Sequence, residues 1–239
     1  MSEPVATLLK RDLFGTVERL EVAGATGNVA CVQRDTACAA RGLRWLARSL
    51  AAREARALHA LRHLPGVPRL VSWDGERLRR TWLPGVSLQA AGDVGPAYFR
   101  EALRLLRRLH AAGLVHNDLA KEPNWLVDPD GRPALVDFQL AMRPRVRGHL
   151  FRMLARDDMR HLLKHKRSYC RAHLTARQEA ILARRSPLAA GWAHTVKPVY
   201  RFVTRRLLGW ADREGAGDRG GVYGSSSSKS SAGASPGRK

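Results

Sequence analysis

A polar run, HNDLAKEPN at positions 116–124, lies between apolar segments and limits the folds that this chain can adopt. An amphipathic stretch from Pro96 to about Ala112 precedes it, and its apolar and arginine faces recur with the period of a helix. After the run, the turn residues 128–131 separate two apolar segments, and the second of these, ALVDF, contains Asp137. The polar run is therefore predicted to be a loop between a helix and strand-like segments.

The side chains of this loop suit one kind of chemistry. A carboxylate such as that of Asp118 can orient or deprotonate a hydroxyl group. Lys121 supplies a nearby cation, and the amide of Asn124 and the carboxylate of Asp137 are hard oxygen ligands of the kind that Mg²⁺ prefers. Phosphoryl transfer needs these groups and little further covalent chemistry. The alternative is a polar loop followed by a strand whose aspartate caps a neighbouring element.

Two motifs in this region carry a resemblance to a known family. The nine residues from His116 to Asn124 resemble a kinase catalytic loop, and the residues DFQ at 137–139 resemble a DFG motif. The chain resembles the compact bacterial kinase-like proteins related to RIO kinases and to lipopolysaccharide core sugar kinases. The resemblance implies an α+β, two-lobed protein-kinase-like fold with a small antiparallel-sheet N-lobe and a helical C-lobe. It also implies that ATP and Mg²⁺ are used, with Asp118 as catalytic base, Lys121 on the transferred phosphate, and Asn124 and Asp137 as metal ligands.

The motifs depart from those of regulated protein kinases in three ways. Asn124 stands six residues after Asp118, one more than in the H-R-D-x-x-x-x-N pattern. Gln139 replaces the glycine of DFG, and no APE motif follows. The activation segment of regulated protein kinases is therefore expected to be missing.

The N-terminal part is strand-like at residues 7–10, 16–22 and 29–34, which predicts a small antiparallel sheet. Of a kinase glycine loop only Phe14-Gly15-Thr16-Val17 remains. Arg34 ends the third segment where such kinases carry a lysine on a strand, so Gly15 and Arg34 are assigned to nucleotide binding. The alternative for Arg34 is an exposed strand end.

Glu54 completes the proposed nucleotide site. It is the sole acidic residue between Asp35 and Asp74, in a stretch predicted to be helical from about Arg41 to His63. A local ion pair fails on spacing, because the positions three and four residues away hold Leu50, Ala51, Ala57 and Leu58. A tertiary partner such as Arg34 would explain Glu54, and a solvated glutamate without a partner is the alternative.

Composition bounds the partners and the setting. The 239 residues include 42 Lys and Arg against 21 Asp and Glu, a formal net charge of +21. Such a charge favours an anionic partner, namely phosphorylated lipid head groups, nucleic acid or a nucleotide. Nucleic acid is disfavoured, because no interleaved stacking aromatics accompany the arginines. The three separated cysteines favour a reducing, cytoplasmic setting. Peripheral attachment to the inner membrane is the alternative. No apolar run approaches the length of a membrane span.

These observations together lead to one interpretation of the domains and the function. The N-lobe is predicted at 1–83, the C-lobe at 84–213 and a disordered Gly/Ser-rich tail at 214–239. The predicted function is transfer of the γ-phosphate of ATP to a hydroxyl, nominally of a protein Ser or Thr. The alternatives are a lipopolysaccharide core sugar kinase at the cytoplasmic membrane face and a non-catalytic pseudokinase that binds a nucleotide or partner.

Two further groups are predicted to be plain surface features. His161 and His165 lie four residues apart with no carboxylate between them as in H-E-x-x-H, which favours a solvated basic helix face. Asp157 and Asp158, next to Arg156 and Arg160, are interpreted as a charged helix face with no role in catalysis.

Overall fold

The computed structural model describes residues 6–24 and 27–184 of the chain. The predicted tail at 214–239 lies outside the described residues, as does the last part of the predicted C-lobe, 185–213. Within them, helices combine with antiparallel sheets, so the predicted α+β class is confirmed.

The N-terminal sheet has five antiparallel strands in the spatial order β1-β2-β3-β5-β4. Alternation along the strands places Val17 of β2 and Val32 of β3 on the same face of the sheet, where both side chains are buried. The strands are β1 (Ala6–Asp12), β2 (Gly15–Gly24), β3 (Gly27–Asp35), β4 (Leu70–Trp73) and β5 (Arg77–Thr81).

One helix lies between β3 and β4 in the chain, α1 (Arg44–Ala60). Its small residues Ala51 and Ala55 pack against Leu78 of β5, so the helix covers part of the sheet. The same helix packs against the short turn Phe138–Leu140, which follows Asp137. Helix α1 therefore connects the N-terminal sheet to the region of the DFG-like motif.

The remaining helices form the second half of the molecule: α2 (Pro96–Ala111), α3 (His149–Tyr169) and α4 (Ala176–Ala183). Helix α2 begins at a proline, where the missing N–H costs nothing, and buries Phe99, Leu106 and Leu109 while its arginines remain outside. The main core collects around these residues and Trp125. Among the described residues, no helix is both long enough and apolar enough to cross a membrane.

A small second sheet fixes the polar loop. It consists of β6 (Val86–Ser87), β7 (Trp125–Val127) and β8 (Pro133–Leu135), paired in that order. Residues 116–124 end where β7 begins, and Asp137 follows shortly after β8. Because β7 and β8 pair antiparallel, with Trp125 opposite Leu135, the loop and Asp137 lie at the same end of this hairpin. The proposed lobe boundary after residue 83 falls between β5 and β6.

Candidate active site

The polar loop brings three of the predicted catalytic and metal-binding residues into contact. Oδ2 of Asp118 lies 3.1 Å from Nζ of Lys121 and accepts a hydrogen bond of 3.0 Å from Nδ2 of Asn124. The same amide nitrogen donates to the backbone carbonyl of Asp118 at 2.8 Å, and Asn124 itself is buried. The Asp118 side chain is 14% exposed and that of Lys121 58%, so the carboxylate is mostly buried while the cation is mostly exposed.

Asp137 is placed beside this group by the backbone. The N–H of Val136 donates to the carbonyl of Asn124 at 3.1 Å, and Asp137 is the next residue. Asp137 has φ 64° and Asn117 has φ 65°, both in the left-handed region. Asp and Asn tolerate this region better than most residues, because their short polar side chains bond locally. Their backbone at these two points allows the chain to turn sharply on both sides of the site.

His116 links the polar loop to the DFG-like turn. The side chain is buried, its Nε2 lies 3.1 Å from the carbonyl oxygen of Val136, and its ring stacks at a tilt on Phe138 with centroids 4.7 Å apart. Burial lowers the pKa of His116, although the nearby carboxylates act in the opposite direction. A neutral imidazole that donates from Nε2 therefore fastens the loop to the strand that precedes Asp137.

Asp158 of α3 holds the same loop through its backbone. Its carboxylate accepts hydrogen bonds from the N–H of His116 at 2.8 Å and of Asn117 at 2.9 Å, and lies 3.2 Å from Nε2 of His110. The residue is 1% exposed, so the expected charged surface face is wrong for Asp158. The helix period carried a signal for this position, because Asp158 lies seven residues after Phe151 and four before Leu162, both buried.

His165 is also buried, which corrects the expected solvated basic face. Its Nε2 lies 2.8 Å from the carbonyl oxygen of Leu119, and its Nδ1 lies 3.6 Å from Oε1 of Glu122. The hydroxyl of Tyr169 donates to the other oxygen of Glu122 at 2.9 Å. Burial lowers the pKa of His165. Helix α3 thus contacts the polar loop at both Leu119 and Glu122.

Glu54 is 1% exposed and pairs with a residue that the sequence interpretation did not identify. Nε of Arg80 on β5 lies 3.1 Å from Oε1 of Glu54. Burial raises the pKa of Glu54, and the charges of Arg80 and Arg34 lower it, while that of Asp137 raises it further. The alternative of a solvated glutamate is therefore wrong. Arg80 lies two residues after Leu78 on β5, so the two side chains share the inward face of the strand. This spacing indicates that Arg80 is buried.

Arg34 is the last residue but one of β3 and lies opposite Val17 on β2 and Leu78 on β5. It is half-buried and close enough to Glu54 to act on the pKa of that carboxyl, although the ion pairs found among the described residues join Glu54 to Arg80 and not to Arg34. The partner of Glu54 is therefore Arg80 and not Arg34, and the joint role of Arg34 and Glu54 in nucleotide binding stays a prediction.

The backbone around position 15 requires glycine there, whether or not a ligand binds. It follows the turn between β1 and β2 with φ +123°, and an added Cβ would lie 2.0 Å from the carbonyl oxygen of Asp35. Only glycine combines this φ with so close a backbone contact. The glycine therefore lets the end of β3 pass directly beside the β1–β2 turn.

The donors at the centre of the site fit a magnesium ion bound together with phosphates. Nδ2 of Asn124 is committed to Asp118, which leaves the amide oxygen as the atom for a cation, and Asp137 adds a carboxylate. Within the described ranges no three His, Cys, Asp or Glu side chains group closely enough to hold a metal. Mg²⁺ commonly takes one or two protein carboxylates and completes its shell with water and phosphate oxygens, so this sparse donor set suits it.

Comparison with known proteins places the chain in a family. No curated protein matches it. A family model described as the RIO domain matches residues 31–177, which is more than half of the chain. The matched segment includes the polar loop, Asp137, Glu54 and Arg34, while Gly15 precedes it. With the kinase-like arrangement of sheet, helices and loop described above, the match shows that the chain belongs to the RIO domain family.

Proposed function

We propose that the protein transfers the γ-phosphate of ATP to a hydroxyl group, nominally that of a Ser or Thr side chain in a protein. Membership of the RIO domain family supports a kinase-like phosphotransferase in general. The observation that carries the finer proposal is the contact of Asp118 with both Lys121 and Asn124, with Asp137 at the same end of the hairpin.

Asp118 is proposed to act on the acceptor. Both contacts described for its carboxylate fall on Oδ2, so Oδ1 can accept a hydrogen bond from the acceptor hydroxyl. As the hydroxyl oxygen forms its bond to the γ-phosphorus, its proton passes to Asp118 and the bond from that phosphorus to the leaving ADP oxygen breaks. Asn124 and Lys121 fix the carboxylate from one side, which reduces the reorganisation needed at the moment of transfer.

The cations are proposed to act on the phosphates. The largely exposed ammonium group of Lys121, next to Asp118, can offset charge that develops on the transferred phosphoryl group. Arg34 is proposed to contact the α- and β-phosphates as a fixed charge that does not titrate in the physiological range. Glu54, held by Arg80, sets the electrostatic environment of Arg34 and Asp137.

Asn124 and Asp137 are proposed to hold Mg²⁺ against the phosphates. When bound, the ion neutralises negative charge on the β- and γ-phosphate oxygens. The buried position of Asn124 and its two hydrogen bonds to Asp118 keep the amide in one orientation before any ligand arrives.

The test is ATP consumption with Mg²⁺ and casein as a generic protein acceptor, in the wild type and in three variants. Asp118→Asn should lower kcat by about 10²–10⁴-fold and leave nucleotide binding intact, because the base is lost but its shape is kept. Asp137→Asn should lose Mg²⁺-dependent nucleotide binding, and asparagine still tolerates the left-handed backbone at this position. Asp130→Asn, at an exposed turn, is the matched control and should behave as the wild type.

Each result discriminates between the alternatives. Unchanged turnover in Asp118→Asn would contradict the assignment of the base. Mg²⁺-dependent ATP binding without turnover on any acceptor would favour a non-catalytic binding module, and turnover stimulated by lipopolysaccharide but not by protein would favour a sugar acceptor. A complete lack of ATP binding would overturn the proposal.

A further inference from the structure

An open cleft of about 910 Å³ lies between α1, β4 and residues 141–144. Its floor is largely apolar and includes Ala52 and Ala55 of α1, Leu70 and Trp73 of β4, and Met142. Neither Asp118 nor Glu54 lines it, so the cleft is separate from the candidate active site. The volume lies in the range of binding pockets, and its openness leaves room for an occupant that is part of a larger molecule.

The charged residues that line this cleft all carry the same sign. They are Arg53, Arg56 and Arg143; His59 lines the cleft beside them, and no acidic residue does. On α1, Arg53, Arg56 and His59 follow at intervals of three residues, so they are stacked on one helix face. Like charges at this spacing destabilise a helix in isolation.

The rest of the described chain does not neutralise this group. Several other arginines have acidic partners, such as Arg48 with Glu76 and Arg80 with Glu54. Within residues 6–24 and 27–184, no ion pair or side-chain hydrogen bond found in the structure involves Arg53, Arg56 or Arg143. The cleft therefore combines an apolar floor with a positive charge that its own surroundings leave uncompensated.

The positive charge of the cleft narrows the kinds of molecule that can bind in it. A second copy of this chain brings a net charge of +21, and residues 185–213 carry six Lys and Arg against one Asp, so both are repelled by the cleft. Nucleic acid would find Trp73 as the sole aromatic side chain that lines the cleft, too few for stacked bases. A membrane surface is flat or convex and does not fill a concave site. An acidic peptide segment with apolar side chains can pack on the apolar floor and pair its carboxylates with the arginines.

We propose that this cleft, the α1 cleft, binds a short segment of a partner protein in which acidic residues alternate with aliphatic or aromatic ones. The apolar side chains of the segment lie on Leu70, Trp73 and Met142, and its carboxylates meet Arg53, Arg56 and Arg143. The proposal does not depend on phosphotransfer, because none of these residues belongs to the candidate active site.

The test measures binding by fluorescence polarisation with a short fluorescein-labelled peptide in which Glu alternates with Leu and Phe. Two control peptides replace either every Glu by Gln or every Leu and Phe by Ser. We expect the first peptide to bind in a salt-dependent manner and both controls to bind at least about tenfold more weakly, since each lacks one half of the match.

Variants then locate the site. The pair Arg53→Glu and Arg56→Glu should weaken binding by at least about tenfold, because like charges then face each other. The matched pair Arg100→Glu and Arg107→Glu makes the same change of net charge on the exposed face of α2 and should bind as the wild type. Met142→Asp should also weaken binding, and unchanged thermal unfolding and ATP binding in each variant establish that the fold is intact.

The opposite results would overturn the proposal. Equal weakening in the α1 and α2 variants would mean that the peptide responds to net charge alone. Failure of the wild type to bind the first peptide, or equal binding of the Gln control, would exclude an acidic segment as the ligand. Binding of phosphatidylglycerol vesicles that the α1 variants abolish, without binding of the peptide, would assign the surface to a membrane instead.

Discussion

At the scale of single residues, the most consequential side chain outside the predicted set is Asp158. One carboxylate accepts hydrogen bonds from two consecutive backbone N–H groups of the polar loop and reaches His110 as well. A sequence motif identifies residues by their side chains. Asp158 binds backbone N–H groups, which every residue except proline has, so no motif marks its partners. Its role therefore became visible only when α3 was placed next to the loop.

Replacing Asp158 by Asn tests this role. The amide of asparagine offers one acceptor in place of two, and each buried donor left unsatisfied costs about 1–3 kcal/mol. We expect the free energy of unfolding, measured with urea, to fall by at least that amount, and kcat to fall with it. Asp157→Asn, at the neighbouring and more exposed position that contacts His161, should change stability much less. Equal effects of the two variants would contradict the role assigned to Asp158.

The buried histidines predict a dependence of stability on pH. Burial lowers the pKa of His165 below its ordinary value of 6.5, so below pH 6.5 the unfolded chain binds more protons than the folded chain. The stability that neutral His165 contributes is complete above 6.5 and is lost as pH falls towards its folded pKa. His165→Gln cannot take up this proton, so the stability gap between the wild type and the variant should shrink below pH 6.5.

The measurement is urea denaturation of the two proteins from about pH 8 to about pH 5.5, with a limiting slope of about 1.4 kcal/mol per pH unit for one proton. His63→Gln is the matched control, because it makes the same substitution at an exposed histidine. A gap for His165→Gln that does not vary with pH would show that His165 titrates alike in both states.

At the scale of elements, α1 is fixed to the sheet by the buried ion pair of Glu54 and Arg80. Removing one partner of such a pair leaves an uncompensated buried charge, which typically costs about 3–5 kcal/mol. Arg80→Met should therefore lower the free energy of unfolding by about that amount. The double variant with Glu54→Met should recover much of the loss, because two apolar side chains of similar size can replace a buried pair.

Chemical denaturation of both single variants and the double variant completes this cycle. Addition of the two single losses in the double variant would show that the residues do not interact. Nucleotide binding should stay weak in the double variant even where stability returns, since the proposed role of Glu54 near Arg34 and Asp137 is then lost.

The elements predictable from the sequence are those long enough to show a period. Alternation identified β2 and β3, and the helical period identified α2, with bounds close to those of the structure. Strand β6 has two residues and could not show a period, yet it completes the second sheet. Arg80 was not assigned, because an arginine in a basic stretch is indistinguishable by composition from its exposed neighbours.

At the scale of the whole molecule, the fold class and the resemblance to RIO kinases were predicted correctly from two motifs, and the RIO domain match confirms them. The resemblance to lipopolysaccharide core sugar kinases stays a prediction. The assigned roles of the site residues and the lobe boundary after residue 83 stay predictions. The helix and strand periods indicate that Asp158 and Arg80 are buried, but they do not identify the partners. The contacts of Asp158 with the polar loop and of Arg80 with Glu54 depend on how distant elements pack.

The charge of the whole chain predicts how salt acts on stability. With 42 Lys and Arg against 21 Asp and Glu, repulsion outweighs the attractive pairs. Raising NaCl from about 0.02 M to about 0.3 M shortens the Debye length from about 20 Å to about 6 Å, so the urea midpoint should rise. Sodium sulfate at equal ionic strength separates screening from specific anion effects, and a midpoint that falls with NaCl would show that the ion pairs dominate.

Because the chain has few lysines, Lys121 of the candidate active site can be labelled selectively by reagents that react with amines. The chain has seven lysines, and one of them, Lys121, places a largely exposed amine 3.1 Å from Asp118. Arginine does not react with the acylating reagents that label amines, so most of the basic surface is invisible to them. A nucleotide that carries an acylating group would therefore have few other lysines to react with. The fraction of Lys121 that is acylated, measured by mass spectrometry, would report how much of the candidate active site is occupied.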